Sequence, residues 1–120
     1  MPRPSSWFLP GHRIGRCWPS SFYLKPNWPG RASHVANAGV IVAPEWRNRG
    51  LGSLLATIML DYAKELHYRS VIFNLVFSEN RPARHLWEKL GFTSLGIIPG
   101  AVRKPDGDYQ DAFILFRALE

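Results

Sequence analysis

The sequence predicts an α/β fold built on a mixed sheet, and three stretches support the prediction. An apolar run at 39–42 leads through a glycine-containing turn into a pattern from Gly50 to Leu66, where apolar residues recur at three- and four-residue steps. That spacing is typical of a helix with one buried face. A second apolar run, 70–77, comes before a shorter helical pattern, and two strand-like stretches close the chain.

The order of the elements follows from these patterns. Further strands are predicted at 21–25 and 34–42 before the first helix, and at 93–98 and 109–119 after the second. The run 70–77 is nearly all apolar, as expected for a central strand that is covered on both faces. The predicted order is therefore ββαβαββ.

The second helix has clear predicted ends. Asn80 is a favourable N-cap residue, and Pro82 suits the first turn because that turn needs no hydrogen bond from its nitrogen. Gly91 suits a left-handed C-terminal residue, with Phe92 packing back on the last turn.

The length of 120 residues fits one domain with a single core. Residues 1–20 are rich in Pro, Gly, Ser and Trp and show no sustained period, so they are predicted to be irregular, with the folded domain at 21–120. A hydrophobic content of 46% and an aromatic content of 13% are typical of a globular protein rather than a disordered one.

Cysteine usage and apolar runs limit the cellular setting. Cys17 is the only cysteine, so no internal disulfide can form and a cytoplasmic location is expected. The apolar runs are too short to cross a bilayer, so no membrane partner is expected. The first 44 residues are basic and contain no acid, which leaves organelle targeting open, although the prolines there disfavour the amphipathic helix that targeting needs.

The net charge of +6 raises nucleic-acid binding as a separate hypothesis. No predicted element carries a basic stripe with interleaved aromatic residues, so no nucleic-acid partner is expected. The phosphates of a bound cofactor are a sufficient reason for a positive potential. No metal site is predicted.

The turn before the first helix contains the most informative motif, Arg47-x-x-Gly50-x-Gly52. Glycines at a strand-to-helix turn let the backbone approach a ligand closely. The free N–H groups of the first helical turn, together with the helix dipole, then make an anion site. The motif lacks the lysine of a P-loop, and Leu55 replaces the third small residue of a dinucleotide fingerprint. These residues predict a phosphorylated cofactor of another kind.

This turn resembles motif A of the GNAT (Gcn5-related) N-acetyltransferases. A second segment, Asn80-Arg-Pro-Ala-Arg-His-Leu-Trp-Glu-Lys-Leu-Gly-Phe92, resembles the family pattern N-x-x-A-x-x-L-Y-E-K-L-G-F and lies 30 residues after Gly50. The resemblance covers residues 22 to 120 and implies the GNAT fold with acetyl-CoA as co-substrate. The residues that it assigns to acetyl-CoA are Val40, Ile41, Val42, Arg47, Asn48, Arg49, Gly50, Leu51, Gly52, Ser53 and Asn80.

The acceptor side departs from the common family pattern. The strand 34–42 has no carboxylate that could act as a base, and Trp87 stands where many members have an acidic tyrosine. Asn37 and Asn74 lie instead on two strands that are predicted to be neighbours, and they are the candidate catalytic residues. His34 and Asp111 stay open as a base and as a contact for the amine, although a structural role is favoured for His34.

A narrower resemblance suggests the acceptor. The segments Tyr23-Leu-Lys-Pro-Asn-Trp-Pro-Gly-Arg31, His34-x-x-Asn37-Ala38 and Phe73-Asn-Leu-Val-Phe77 are similar to fungal and bacterial acetyltransferases that act on proline analogues such as azetidine-2-carboxylate. In that branch, asparagines matching Asn37 and Asn74 hold the acceptor carboxylate and orient its amine. The resemblance implies N-acetylation of a small amino acid or proline analogue by direct attack.

The start of the chain is a departure of another kind. A GNAT domain normally has a strand and one or two helices before the region near Phe22, and residues 1–20 do not resemble them. The resemblance therefore implies a shortened domain, in which a homodimer partner could complete the acceptor pocket. The alternative is a CoA-binding or interaction module with little or no catalysis.

Overall fold

The computed structural model describes residues 5–7, 13–17, 20–43, 45 and 50–119. The strands are β1 (Ser5–Trp7), β2 (Arg13–Cys17), β3 (Ser20–Pro26), β4 (Val35–Val42), β5 (Ser70–Phe77), β6 (Thr93–Arg103) and β7 (Tyr109–Ala118). The helices are α1 (Leu51–Glu65) and α2 (Arg81–Lys89), and a short 3-10 turn spans Gly30–Ala32. From β3 onward the order is ββαβαββ, as predicted. Within the described ranges, each helix is too short or too polar to cross a membrane.

The chain divides into two compact units, residues 1–71 with 119–120, and residues 72–118. In the first unit the strand order is β1-β2-β3-β4, and each neighbouring pair is antiparallel. Directly opposed residues of β3 and β4 share one face of the sheet. The face of Phe22 and Leu24 pairs with Val40 and Ala38, and α1 packs against these two strands.

Helix α1 buries one face, as its period predicts. Its buried residues are Leu55, Ala56, Met59, Leu60, Tyr62 and Ala63. The Tyr62 ring lies 5.6 Å from the Phe22 ring, centroid to centroid. Leu54 belongs to the apolar face that the sequence predicts for α1, but it lies in the first turn of the helix and is 45% exposed.

The prediction that residues 1–20 are irregular is wrong for β1 and β2, and so is the expectation that no strand precedes the β3 region. β2 pairs with β3 from Arg13 opposite Leu24 to Cys17 opposite Ser20. These strands are defined by backbone hydrogen bonds to a neighbour, which a short Pro- and Gly-containing sequence does not reveal through its side-chain period. Among the described residues, both α-helices follow Gly50.

In the second unit the strand order is β5-β7-β6. Three aromatic rings form its core: the Phe73 ring lies 4.3 Å from Trp87 and 4.9 Å from Phe92, and Trp87 lies 5.3 Å from Phe92. Aromatic pairs at these distances add about 0.5–1.5 kcal/mol each beyond the area that they bury. Helix α2 is thereby fixed to β5.

The predicted ends of α2 are confirmed. The Asn80 side-chain oxygen accepts a hydrogen bond from the Ala83 N–H at 3.3 Å. Gly91 has a φ of 93°, and its N–H donates to the Glu88 carbonyl, while the Phe92 N–H donates to the Trp87 carbonyl. These two bonds make a Schellman ending, in which a left-handed glycine satisfies the last carbonyls.

Strand β6 extends five residues beyond the predicted end at 98, to Arg103. The prediction stopped at Pro99-Gly100, but the register between β6 and β7 shifts between Ile98 and Val102, which accommodates both residues. Proline is tolerated at a bulge because no ladder bond is required of its nitrogen. The Asp111 carboxylate accepts a hydrogen bond from the Gly100 N–H at 2.9 Å and supports the irregular segment.

The burial of β5 differs from the prediction of a strand covered on both faces. Its first four residues are buried, but Leu75 is 47% exposed and Phe77 is 41% exposed. An apolar sequence does not show how much of a strand is covered by other elements. The C-terminal half of β5 is therefore partly open.

Met59 provides a test of the α1 contact. Its side chain is fully buried, so Met59→Ala should lower the free energy of unfolding by about 2–5 kcal/mol through lost transfer energy and a residual cavity. Urea unfolding followed by circular dichroism measures this. Thr57→Ala, on the exposed face of the same helix, should change stability by less than about 0.5 kcal/mol. Equal effects of the two substitutions would contradict the described packing.

Candidate functional site

The strand-to-helix turn begins where β4 ends at Val42 and finishes where α1 begins at Leu51. Gly50 occupies the N-cap position with a φ of 78°, in the left-handed region that favours glycine. Its carbonyl accepts the first helical hydrogen bond, from the Leu54 N–H at 3.1 Å. The predicted cofactor residues Arg47, Asn48 and Arg49 lie outside the described residues.

The first turn of α1 supplies the other predicted phosphate contacts. Leu51 and Gly52 are half-buried, while Gly50 and Ser53 are exposed. The N–H groups of residues in a first turn have no partner within the helix and point along its axis toward the positive end of the dipole. Helix starts of this kind are common anion sites, and the space beside the Gly50 Cα is open.

The predicted strand for the pantetheine arm is well formed. Ser20 and Phe22 lie opposite Val42 and Val40 in the β3–β4 ladder. Val40 and Val42 are half-buried, whereas Ile41 is 65% exposed. Ile41, Gly39 and Asn37 are two residues apart along β4 and share the face opposite to the one that α1 covers.

Asn80 has a confirmed structural role, and a ligand role is compatible with it. Its carboxamide oxygen caps α2, which leaves the side-chain NH₂ as the group that can donate to a ligand. The preceding residue, Glu79, forms an ion pair with Lys104 at 3.0 Å, and Gln110 accepts a hydrogen bond from the Glu79 N–H. The bond to Glu79 raises the pKa of Lys104. These contacts fix the start of α2 against β7 and the loop after β6.

The two candidate catalytic asparagines have different surroundings. Asn37 is only 7% exposed, and it lies opposite Lys25 in the β3–β4 ladder. Asn74 is exposed and lies in β5, in the second unit. A buried carboxamide requires hydrogen-bond partners or costs about 1–3 kcal/mol. The predicted proximity of Asn37 and Asn74 stays a prediction.

The other titratable candidates lie in exposed positions. His34 precedes β4 in a turn, where its carbonyl accepts from the Arg69 N–H, and its side chain is exposed. His85 is exposed on α2. The Asp111 carboxylate is engaged by Gly100, so its observed partner is structural.

Trp87 is 6% exposed within the aromatic cluster. Its indole N–H donates hydrogen bonds but has no acidic proton at neutral pH, so Trp87 cannot act as the family's tyrosine does. Its position in the cluster indicates a packing role. The acid and the base of a transfer reaction are therefore other groups or water.

Sequence reasoning missed the close contact between Tyr23 and Gly39. These residues are directly opposed in the ladder, and a Cβ at Gly39 would overlap the Tyr23 ring, with the ring Cζ at 2.9 Å. The aromatic ring therefore lies across the backbone of β4. The only available signal was a glycine inside an apolar strand, which often marks a close approach.

Comparisons with known proteins identify the family of this chain. Residues 11–92 match the sequence profile of the Acetyltransferase (GNAT) family. The chain is 46% identical over 95 residues to N-acetyltransferase aca1 of Schizosaccharomyces pombe, covering 78% of this chain and 46% of that protein. It is 34% identical over 90 residues to L-amino acid N-acetyltransferase AaaT of Escherichia coli, covering 72% of this chain and 53% of that protein.

A solved structure agrees with the sequence comparisons. A GCN5-related N-acetyltransferase from Kribbella flavida superimposes with a TM-score of 0.81 at 33% identity, covering 90% of this chain and 67% of that one. The chain spans about half the length of the two curated relatives. With the profile match over most of its length, the chain belongs to the acetyltransferase (GNAT) family.

Proposed function

We propose that this chain transfers an acetyl group from acetyl-CoA to the amine of a small amino acid or proline analogue. The observation that supports it best is the left-handed Gly50 at the start of α1, the next helix after the β4 strand to which the family resemblance assigns the cofactor. The relative named as an L-amino acid N-acetyltransferase supports the acceptor class. We also propose a cytoplasmic setting, which the presence of a single cysteine supports.

The cofactor grip is divided between two elements. The backbone of Val40–Val42 holds the extended arm, and the N–H groups of Leu51, Gly52 and Ser53 receive the pyrophosphate. Arg47 and Arg49 add positive charge from the turn, and Asn48 lies between them. Phosphate binding at a helix N-terminus needs both the free N–H groups and the dipole, and α1 has fifteen residues to supply the dipole.

The transfer itself requires one bond to form and one to break. Acetyl-CoA supplies a thioester carbonyl, and the neutral amine nitrogen attacks that carbon while the thiolate departs. The amine proton passes to water, because the β4 strand carries no carboxylate to accept it, and the departing thiolate takes up a proton to give free CoA thiol. Position is then the main contribution of the protein, and correct alignment of two reactants accounts for about 7–11 kcal/mol in favourable cases.

Asn37 and Asn74 would bind the acceptor. A carboxamide both donates and accepts, so it can bond a carboxylate oxygen with its NH₂ group and an amine hydrogen with its oxygen. Asn37 lies on a strand that is paired along its length with β3, and its side chain is buried, so it has little room to move. Such an arrangement orients the amine without transferring its proton.

A second candidate function is binding of CoA without turnover. The observation that favours it is the lack of a carboxylate on β4 that could take the amine proton. In that case the cofactor contacts remain, but acetyl-CoA is not consumed in the presence of an amine. A homodimer whose partner completes the acceptor pocket would restore turnover.

Cofactor binding is tested with Gly52→Asp. The new carboxylate would repel the pyrophosphate, whereas an acid in the first turn of a helix favours folding. Isothermal titration should give saturable binding of acetyl-CoA by the wild type and at least about tenfold weaker binding by the variant, since a change of about 1.4 kcal/mol is tenfold.

The matched control is Thr57→Asp, which adds the same charge to the exposed face of α1, one turn further along the helix. It should bind acetyl-CoA nearly as the wild type does. No saturable binding by a folded wild-type chain, or equal weakening by both variants, would contradict a cofactor site at this turn.

Asn37 is tested by turnover. Asn37→Ala should lower kcat/KM for L-azetidine-2-carboxylate about ten- to a hundredfold, since a hydrogen bond to a charged group contributes about 1.5–3 kcal/mol. Release of free CoA thiol measures the rate, and acetyl-CoA titration of the same sample reports on folding.

Gln110→Ala removes a carboxamide from the Glu79 contact and serves as the control for general destabilisation. It should leave kcat/KM within about twofold, as expected for a change away from the reacting groups. An Asn37→Ala rate equal to the wild-type rate would remove Asn37 from the acceptor site.

A further inference from the structure

We propose that Lys25 selects acceptors that carry a carboxylate, and that the Tyr23 ring holds the Lys25 ammonium group on the same face of the sheet as Asn37. The proposal rests on the proposed function, because it names a specificity-determining residue for that acceptor site. It concerns residues of the first unit alone.

The register of β3 and β4 places these side chains together. Lys25 lies directly opposite Asn37, and Tyr23 lies directly opposite Gly39. Opposed residues of an antiparallel pair point to the same face, with Cβ atoms about 4.5–5.5 Å apart. Residues two apart on one strand also share a face. Tyr23, Lys25 and Asn37 therefore stand as neighbours on the face that α1 does not cover.

The small residue at position 39 determines where the Tyr23 ring lies. A Cβ at Gly39 would come within 2.9 Å of the ring Cζ and 3.0 Å of the hydroxyl oxygen. The ring can lie flat across the β4 backbone only because glycine has no side chain. A glycine in the middle of a strand weakens it, so its presence here points to the contact with Tyr23.

The flattened ring provides a surface for the lysine. The Lys25 Nζ atom lies 5.8 Å from the centre of the Tyr23 ring, at the outer limit of a cation–π contact. The ring gives the ammonium group a contact on the face of the sheet that also carries Asn37. Lys25 is exposed there, so an incoming molecule can reach it.

The positive charge of Lys25 can distinguish a carboxylate from a neutral amide, which the asparagines cannot do alone. A carboxamide bonds a carboxylate and a neutral amide with similar geometry, so Asn37 alone discriminates poorly between them. An ammonium group bonds an anionic oxygen roughly twice as strongly as a neutral one. The pair of Lys25 and Asn37 thus recognises an amine that carries a carboxylate close by, and it disfavours amines without one.

The test measures equilibrium binding, so it does not depend on turnover. Wild-type protein saturated with CoA is titrated with L-azetidine-2-carboxylate and with the neutral L-azetidine-2-carboxamide, and binding is followed by ligand-observed NMR. The wild type should prefer the carboxylate. Lys25→Met should weaken carboxylate binding about tenfold, with carboxamide binding unchanged, because a charge-assisted bond is lost. Lys25→Arg should retain the preference.

Further variants separate recognition from folding. Lys64→Met removes an exposed lysine from α1 and should leave the preference unchanged. Tyr23→Phe keeps the ring and should also retain it, whereas Tyr23→Ala and Gly39→Ala, which remove or displace the ring, should reduce it several-fold. Thermal unfolding of each variant shows that the change in preference is not a loss of structure.

Three results would overturn the proposal. The wild type binds the two probes equally, the wild type binds neither probe, or the carboxylate preference survives in Lys25→Met. Thiol release from acetyl-CoA is measured in parallel. A carboxylate preference that depends on Lys25, without any thiol release, supports the recognition role and counts against acetyl transfer alone.

Discussion

The packing of α1 against β3 and β4 is the contact on which the first unit depends. Ala36 and Ala38 on the strand and Ala56 and Ala63 on the helix are all buried, so the packed surfaces on both sides are lined with small side chains. Small side chains let a helix approach a sheet closely, and larger residues such as Met59 fill the space between them. This contact places the start of α1, where the proposed phosphate contacts begin.

Because α1 packs on one face of β4, the two faces of this strand have different roles. Residues 36 and 38 face α1 and are constrained by packing, whereas residues 37, 39 and 41 face the other way. A slip of one residue in the register would exchange the two sets and turn Asn37 and Ile41 toward the helix. The buried alanines and the ring contact between Phe22 and Tyr62 oppose that slip. The chemistry of the strand therefore depends on the packing of its opposite face.

The sequence predicted the parts of the fold that side-chain chemistry determines. The period of α1, the Asn80 cap and the Gly91 ending each depend on the identity of a few residues near one another in the chain, and each was confirmed. The strands β1 and β2 depend on pairing with β3, and the length of β6 depends on an irregular register with β7. Pairing of this kind joins residues whose local sequence contains no corresponding signal.

The candidate site shows the same division. The glycine turn and Asn37 were visible as motif and as a polar residue in an apolar strand, but Lys25 had no such mark. A lysine near the end of a short strand is ordinarily solvated. Only the register, which places Lys25 opposite Asn37, indicates that it could contact the acceptor. The contact of Tyr23 with Gly39 was hidden for the same reason, because neither residue indicates the other until the two strands are aligned.

The absence of a proton-transfer group on β4 changes what the site must accomplish. Within the described residues, this strand carries no carboxylate and its buried polar side chain is the Asn37 carboxamide, while Trp87 packs in the aromatic cluster. Neither group takes or gives a proton at neutral pH. In the proposed reaction, the amine proton passes to water or to another group, and the contribution of these two residues lies in alignment. A fixed carboxylate anchor improves alignment, because a second point of attachment removes rotational freedom from the amine before it reacts.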